Sequence, residues 1–387
     1  MVMKRSIYTE EHEAFRAMIR DFIVKEVEPH FAQWEQDNLV DRDLFRKLGA
    51  LGVMGFDIPE EYGGAGETSY KYQAIITEES ARAAVSFGHY SVSTGIVLPY
   101  LLNLANEEQK QRWLPGVAAG ELMLCVAMTE PGTGSDLAGI RASAKLSDDG
   151  THYVLNGSKT FITGARNSEL CIVAARTSPA TPENRRHGLS LFVVPTDSEG
   201  FAYGRKLEKI GLRSSDTSEL AFNEVKVPVE NLLGKQDEGF SYLGQNLPRE
   251  RLSISVGAVS AATAAIRFAK EYVTERQVFG KPVAAFQNTK FVLAECATEV
   301  AALQAMVDQG IAFDDAGELT PADAAKIKLF ATETAGRVID KCLQLHGGYG
   351  YMLEYPIARL YADTRVNRIY GGTSEVMKTI IAKDLGL

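Results

Sequence analysis

The sequence predicts an α+β protein of three domains, in which two helical parts flank a β-rich middle part. Apolar residues recur at three- and four-residue steps in residues 1–122 and again in 233–387, which is the spacing of one helix face. Between them, residues 123–232 hold short β-prone runs separated by turns. A chain of 387 residues, 45% of them hydrophobic, is long enough for two or three domains. We therefore expect domains at 1–122, 123–232 and 233–387.

Composition argues against several classes of protein. The formal net charge is −9, and an acidic chain is a poor partner for nucleic acid. The four cysteines are far apart and form no C-x-x-C pair, which argues against a zinc site or a disulfide framework. Residues 1–20 lack the apolar run of a signal peptide, and no segment reaches about 18 uninterrupted apolar residues. We expect a cytoplasmic protein without a metal, a membrane span or a nucleic-acid partner.

The first domain is predicted to be helical. Thr9 is a candidate cap, and the acids that follow it suit the first turn of a helix. Pro29 is expected to bend or end that helix. Helical spacing resumes near residues 70–84 and 92–103.

The middle domain is predicted to be a small sandwich or barrel of strands. Asn156-Gly157 is a strong signal for a hairpin turn. The predicted strands cover residues 152–155, 170–174, 189–194 and 220–222.

The C-terminal domain is predicted to be a four-helix bundle. Further helices are expected at 291–306, 321–345 and 361–367, with Pro321 in a first turn, where proline is tolerated. An apolar stripe indicates the core face of the first helix: Val256, Val259, Thr263, Ile266, Ala269 and Val273.

The run VAMTEPGTGS at residues 126–135 follows an apolar segment and reads as a strand that ends in a turn. Pro131 and the glycines fit a turn whose backbone N–H groups face outward. Together with the hydroxyls of Thr129 and Ser135, such a turn can hold a flat heterocycle or a phosphate. Taken alone, a strand followed by such a turn is most often only a turn.

Five more runs follow in order: FIT (161–163), LPRERL (247–252), ERQVFG (275–280), QLHGGYG (344–350) and IYGGTSE (369–375). Together the six runs cover nearly the whole chain and resemble the acyl-CoA dehydrogenase family. The resemblance implies a helical domain, a β domain and a helical bundle. It also implies FAD, an acyl-CoA substrate, an electron-transfer flavoprotein as partner, and a homotetramer built from dimers. In that family a carboxylate removes the Cα proton of the thioester while a hydride passes from Cβ to flavin N5.

The proposed base differs from the commoner family pattern. Many members have Glu where this chain has Gly371, and glycine cannot take a proton. A subset that resembles long-chain and isovaleryl-CoA dehydrogenases has Glu at the position of Glu250 instead. A missing side chain at 371 leaves room for that carboxylate, and Gly371 can still give its N–H to the thioester oxygen. Without the resemblance, Glu250 between two arginines reads as an ion pair at a helix start, and Glu375 is the rival base.

The resemblance assigns the remaining roles. Phe161 stands where many relatives have Trp, so ring packing is kept and the indole N–H is lost. The residues expected at the flavin ring are Val126, Met128, Thr129, Gly134, Ser135, Phe161, Ile162 and Thr163. Those expected at the diphosphate and adenosine, some of them from a neighbouring subunit, are Arg276, Phe279, Gln287, Gln344, Leu345, Gly347 and Gly348. Thr373, Ser374 and Glu375 are expected to line FAD, and Ser135, Arg251, Gly371 and Gly372 to contact the substrate.

Local patterns leave other interpretations open. Taken alone, Arg276 reads as a surface ion pair, and the glycines at 347–350 read as a helix end. That run lacks the strand–turn–helix setting of a dinucleotide fingerprint, so a nicotinamide site is rejected. An acyl-CoA oxidase or flavin monooxygenase on the same scaffold, or a flavin-binding partner subunit without turnover, are the rival functions. Acyl chain length depends on side chains near 72–76, 97–101 and 242–245, whose packing the sequence does not give.

Overall fold

The computed structural model describes residues 4–387 and has the three predicted parts: helices, then a sheet, then a helical bundle. The N-terminal helices are α1 (Glu10–Phe22), α2 (Glu28–Asp37), α3 (Asp43–Ala50), α4 (Lys71–Ala83), α5 (Tyr90–Val92), α6 (Leu98–Leu104) and α7 (Glu107–Ala118). The apolar faces of α1 to α4 form one core, and α6 and α7 contribute to a second core shared with the sheet.

Two prolines reshape the N-terminal helices. Pro29 and Pro99 are the second residues of α2 and α6, and each follows a five-residue π-helical turn, Ile23–Val27 or Ser93–Val97. Proline has no N–H to donate to the preceding turn, and a local widening of the helix accommodates that loss. The helix therefore does not end at Pro29, as one reading of the sequence expected, but continues to Asp37.

The middle domain is one eight-stranded mixed sheet. Its strands are β1 (Leu124–Ala127), β2 (Ser143–Leu146), β3 (His152–Thr163), β4 (Leu170–Arg176), β5 (Leu189–Pro195), β6 (Phe201–Lys206), β7 (Thr217–Pro228) and β8 (Leu232–Leu233). They are ordered β6-β7-β3-β2-β4-β5-β8, with β1 also paired to β4 in parallel. The rings of Tyr153 on β3 and Phe192 on β5 lie 4.9 Å apart although two strands separate them in the sheet. The sheet therefore curls around its own core, as expected for a barrel-like domain.

The prediction of a hairpin turn at Asn156-Gly157 is wrong. Both residues lie inside the long strand β3, which is paired with β7 on either side of them. Gly157 has φ of +148° at a shift in the register, and a β-carbon there would lie 2.7 Å from that of Ala142. The glycine is needed for a bulge and a close approach of neighbouring strands, which is the other common role of glycine in a strand.

Strand β4 joins the sheet to the helices because both of its faces are buried. Leu170, Ile172 and Ala174 pack into the core shared with α6 and α7, whereas the alternate residues Cys171 and Val173 pack inside the curled sheet. Alternate residues thus anchor β4 in both cores. Strand β4 in turn holds the end of β1, and the turn after it, against the N-terminal helical domain.

The C-terminal domain is built on three long helices. Its elements are α8 (Gly239–Glu275), a hairpin of β9 (Gln277–Val278) and β10 (Lys281–Pro282), α9 (Gln287–Asp315), α10 (Pro321–Leu345), α11 (Pro356–Thr364) and α12 (Ser374–Asp384). Helix α10 begins as predicted, with Thr320 accepting the N–H of Asp323 and Pro321 in the first turn. The predicted stripe on α8 is confirmed, since Val256, Val259 and Ala269 lie in the core of the bundle.

Helix α8 is also long and apolar enough to cross a membrane if only length and composition are counted. In the fold, however, 67% of its apolar window is buried by other parts of the protein. That is the environment of the central helix of a bundle, in which an apolar surface is covered by neighbouring helices.

Candidate active site

Glu250 lies on α8, one residue after Arg249 and two after Pro248, and its side chain is buried. Burial raises the pKa of the carboxyl group to about 7, although the nearby Arg251 and Lys328 act to lower it. One of its oxygens, Oε2, is buried without a hydrogen-bond partner among the described residues. An acid held in this way is poised near neutral pH to exchange a proton with a group that is brought to it.

The predicted vacancy at Gly371 lies beside Glu250. A β-carbon built on Gly371 would lie 3.5 Å from Glu250 Oε1 and 2.4 Å from Cδ1 of Ile254, one turn further along α8. Gly371 has φ of +62°, a conformation in which residues with a side chain are strained. The structure thus brings together the two residues that the sequence paired, and adds Ile254 as a wall of the same space.

Two buried cations fix the backbone around Gly371. The ammonium group of Lys328 on α10 donates to the carbonyl oxygen of Tyr370 at 2.8 Å and also to that of Gly372. Nε of Arg251 donates to the carbonyl oxygen of Gly371 at 3.2 Å. A trans peptide directs its C=O and N–H to opposite sides, so the N–H of Gly371 points away from Lys328. Three successive carbonyl groups are thereby held, which orients the amides that a substrate oxygen would meet.

The N-terminal helical domain lies on the other side of Glu250. The pKa of Tyr100 is raised by burial and by the neighbouring Glu250, and its hydroxyl has no hydrogen-bond partner among the described residues. Asn246 on α8 donates through Nδ2 to the carbonyl oxygen of Ile96 at 2.7 Å, which ties the π-helical turn to α8. The sequence indicated Tyr100 only as part of a stretch, 97–101, that could line the pocket. It missed Lys328 and Asn246, which carry no local signal of their role.

The turn at 126–135 forms as expected. Glu130 and Thr133 exchange two backbone hydrogen bonds of 2.9 and 3.0 Å around Pro131 and Gly132. Val126, Met128 and Thr129 are partly exposed, and Gly134 and Ser135 are exposed. The carbonyl oxygen of Thr129 accepts the N–H of Thr160 on β3 at 2.9 Å, so the turn is joined to the strand that carries 161–163.

Phe161 is the most unusual residue of that strand. Its ring is 67% exposed and its φ is +60°, which is rare for a bulky residue. It stands where the register of β3 against β7 shifts, while Ile162 is buried and Thr163 partly exposed. Exposed apolar surface and backbone strain in one residue make Phe161 a candidate contact for a ligand.

A second group of predicted cofactor residues lies at the far end of α8. Arg276, Leu345, Gly347 and Gly348 line one groove of about 500 Å³. Nearby in sequence, Phe279 is 95% exposed, and Gln287 and Gln344 are also exposed. The guanidinium of Arg276 lies over the ring of Tyr349, 5.7 Å from its centroid, rather than in the isolated surface ion pair that its sequence suggests.

One chain does not bring the two groups together. The helix between Glu250 and Glu275 spans about 38 Å at 1.5 Å per residue, more than the diameter of a small domain. A cofactor that lies beside Glu250 therefore cannot also touch the groove of the same chain. Thr373 and Ser374 belong with Gly371: Thr373 caps α12, and Ser374 donates to Glu333 at 2.7 Å. Glu375 is exposed in the first turn of α12 and not beside Glu250's buried carboxyl group.

The residues present fit a flavin cofactor. Phe161 offers an exposed aromatic face beside the turn, and the buried Glu250 has an oxygen without a hydrogen-bond partner among the described residues. In the groove, β-carbons built on Gly347 and Gly348 would meet nothing within 4 Å, so the backbone there is open to a ligand. An aromatic face, a turn with polar groups and a shielded carboxyl group are compatible with the class of flavoprotein oxidoreductases, in which the protein orients the cofactor and supplies a base.

Comparison with known proteins agrees with this class. Models of the N-terminal, middle and C-terminal domains of acyl-CoA dehydrogenases match residues 9–121, 125–225 and 237–386. The chain is 44% identical to the mitochondrial long-chain specific acyl-CoA dehydrogenase of Sus scrofa, over 98% of this chain and 88% of that protein. It is 37% identical to the 3-(aryl)acrylate reductase of Clostridium sporogenes, over 98% and 99%. The crystal structure of an acyl-CoA dehydrogenase from Geobacillus kaustophilus superposes with a TM-score of 0.95 at 43% identity, covering 100% of both chains.

The chain therefore belongs to the acyl-CoA dehydrogenase family. It is an FAD-dependent enzyme, as the solved relatives that hold FAD or FADH2 also indicate.

Proposed function

We propose that the protein dehydrogenates an acyl-CoA thioester between Cα and Cβ, with Glu250 as the base that removes the Cα proton. The observation that supports this most directly is the buried carboxyl group beside Gly371, with one oxygen unpartnered and a pKa of about 7. FAD, when bound, would supply the oxidant for the hydride that leaves Cβ. The Cα proton passes to Glu250, and the electron pair of the Cα–H bond forms the new double bond of the trans-2-enoyl thioester.

The backbone at Gly371 has the complementary task. Charge develops on the thioester oxygen as the Cα proton leaves, and oriented donors stabilise such charge. The N–H of Gly371 is directed away from Lys328 because the preceding carbonyl group is held by that ammonium. Arg251 and Lys328 thus hold the donor in place and also keep the pKa of Glu250 from rising further.

The separation along α8 supports an assembly of several chains. We infer that Glu250 and the groove around Arg276 serve different FAD molecules, so that each cofactor is shared by two chains. The exposed ring of Phe279 and the exposed Gln287 are then covered by a second copy. A homotetramer built from such dimers, located in the cytoplasm and passing its electrons to an electron-transfer flavoprotein, completes the proposal.

Anaerobic titration of the flavin with acyl-CoA thioesters tests the proposal. Butyryl, octanoyl, palmitoyl and isovaleryl thioesters should include at least one that bleaches the FAD absorbance, and that one identifies the acyl class. Bleaching by none of them would favour a flavin-binding subunit without turnover. Rapid reoxidation of the bleached enzyme by air in stopped-flow would favour an oxidase instead.

The reverse reaction is the second candidate, because the chain is 37% identical over nearly its full length to a protein named as a reductase of an acrylate. A flavin reduced beforehand with dithionite and mixed with enoyl-CoA distinguishes the two directions. Turnover with an added electron acceptor and a saturated thioester supports dehydrogenation, whereas turnover only from reduced flavin and the enoyl thioester supports reduction.

A further inference from the structure

Lys159 is a fully buried cation directly behind the turn at 126–135. It lies on β3, two residues before Phe161, and its side chain has no exposed surface. Its ammonium group donates to the carbonyl oxygen of Met128 at 3.0 Å and to Oε1 of Glu130 at 2.9 Å. A buried charge is tolerated only when it is paired and hydrogen-bonded, and these two oxygens supply the pairing.

Glu130 is held equally firmly. Its Oε2 accepts the N–H of Arg141 at 2.8 Å, and its Oε1 accepts the N–H of Ala142 at the same distance. The ion pair is therefore neutral as a unit and rigid in geometry, with the carboxylate fixed by backbone and the ammonium fixed by the carboxylate. The proposed reaction assigns no role to either Lys159 or Glu130.

The ion pair affects the orientation of the peptide group between Met128 and Thr129. Lys159 holds the carbonyl oxygen of Met128, and the next residue of β3, Thr160, donates its N–H to the carbonyl oxygen of Thr129. Since the peptide is trans and planar, the N–H of Thr129 points away from Lys159. Donation by an ammonium group to the carbonyl oxygen also polarises the peptide, which strengthens the N–H of Thr129 as a donor.

We propose that Lys159, locked by Glu130, is a positioning residue that orients the Met128–Thr129 peptide as a hydrogen-bond donor to the flavin ring and thereby favours reduced FAD over oxidised FAD. This rests on the proposed placement of the flavin ring against the turn at 126–135. Reduced flavin carries more negative charge than oxidised flavin, so a strengthened donor binds the reduced form more tightly. The ion pair has no net charge, so the effect acts through the peptide.

The test compares the midpoint potential of bound FAD in the wild type and in the double variant Lys159→Met/Glu130→Gln. The double variant keeps the shape and the zero net charge of the pair but removes the hydrogen bond to Met128. Replacing a buried ion pair with neutral groups is often neutral or stabilising, so its melting temperature should be close to that of the wild type. We expect it to bind reduced FAD about tenfold more weakly relative to oxidised FAD, which lowers the two-electron midpoint potential by about 30 mV.

Two further variants complete the test. Lys159→Met alone should lower the potential by more than the double variant does and also destabilise the fold, because it leaves the buried Glu130 without its cation and so adds a net negative charge near the turn. Lys226→Met, an exposed lysine on β7 of the same sheet, should leave the potential unchanged. A folded double variant with the wild-type potential overturns the proposal, and so does a double variant that fails to fold, which would assign the pair a purely structural role.

The potentials are measured with a reducing system and a reference dye, without any thioester. Wild-type protein that holds FAD but is not bleached by thioesters would disprove the proposed reaction while this comparison stands. If thioesters do bleach the wild type but the double variant has the wild-type potential, only the role of Lys159 is disproved.

Discussion

The carboxylate oxygen Oε1 of Glu250 lies 3.5 Å from the point where a β-carbon on Gly371 would stand. The acid on α8 therefore lies beside the side-chain position that Gly371 leaves empty. A side chain at position 371 would meet Cδ1 of Ile254, which lies 2.4 Å from the same point. The two ends of the C-terminal domain are thus coupled: the glycine near the tail is required by its positive φ and by Ile254 on α8, and Glu250 lies beside the space that it leaves.

The rate of flavin reduction should rise with pH as Glu250 loses its proton. Burial raises the pKa of its carboxyl group to about 7, and only the carboxylate can accept the Cα proton. We expect kcat/KM, which reports on the free enzyme, to increase tenfold per pH unit below about 7 and to level off above it. A profile that is flat between pH 5.5 and 8.5 for a substrate without ionising groups in that range would contradict this.

Glu250→Gln should stabilise the substrate-free, FAD-loaded enzyme at high pH. Below about pH 4.5 the acid is protonated in both states and contributes nothing. As pH rises towards 7, the unfolded chain releases the proton before the folded one does, so wild-type stability falls and then stays lower. The variant avoids this loss, which is at most about 3 kcal/mol for a shift of this size.

Denaturant unfolding of both proteins at pH 5 and pH 8 measures that difference. Glu271→Gln, an exposed position on the same helix, is the matched control and should show no such pH-dependent gain. An equal stability difference between wild type and Glu250→Gln at the two pH values would argue against a raised pKa.

Gly371→Ala should cost both stability and activity. The added methyl group is forced into a backbone with φ of +62°, which costs about 1–2 kcal/mol, and it presses on Ile254 while touching the reacting carboxyl group of Glu250. Gly150→Ala is the control, because Gly150 has φ of +70° but nothing within 4 Å of its β-carbon position. Both variants should lose stability in denaturant unfolding, but only Gly371→Ala should lose turnover. Normal turnover in Gly371→Ala would show that the vacancy is not needed.

Lys328→Met should shift the pH profile as well as slow the reaction. The ammonium group lowers the pKa of Glu250, so its removal should move the midpoint of kcat/KM to higher pH. It also frees the carbonyl groups of Tyr370 and Gly372, so kcat at high pH should fall roughly 10-fold or more as the donor at Gly371 loses its orientation. Lys326→Met, two residues earlier and paired with Asp384 on the surface, should change neither value. A lower kcat with an unshifted midpoint would mean that Lys328 acts on the backbone alone.

The sequence predicted the three-part fold and helix α10 from Pro321 to Leu345 because apolar periodicity and capping are local properties. It mispredicted Asn156-Gly157, since a bulge and a hairpin turn demand the same residue types and only strand pairing separates them. It could not identify Lys328 or Lys159, because a lysine that serves a distant carbonyl group looks like any other lysine in a helix or strand. No local pattern indicates the distance along α8 between Glu250 and the groove at Arg276; only the family resemblance led to the expectation that some FAD contacts come from a neighbouring subunit.

Exchange of the Cα proton of a bound thioester with deuterium from the solvent tests the central claim most directly, since it reports on the base independently of hydride transfer. Wild type and Glu250→Gln are loaded with FAD and incubated anaerobically in D2O with a thioester that cannot be oxidised. We predict exchange in the wild type and a loss of at least about 100-fold in the variant, with FAD still bound. Exchange at a near-normal rate in Glu250→Gln would show that another group takes the proton.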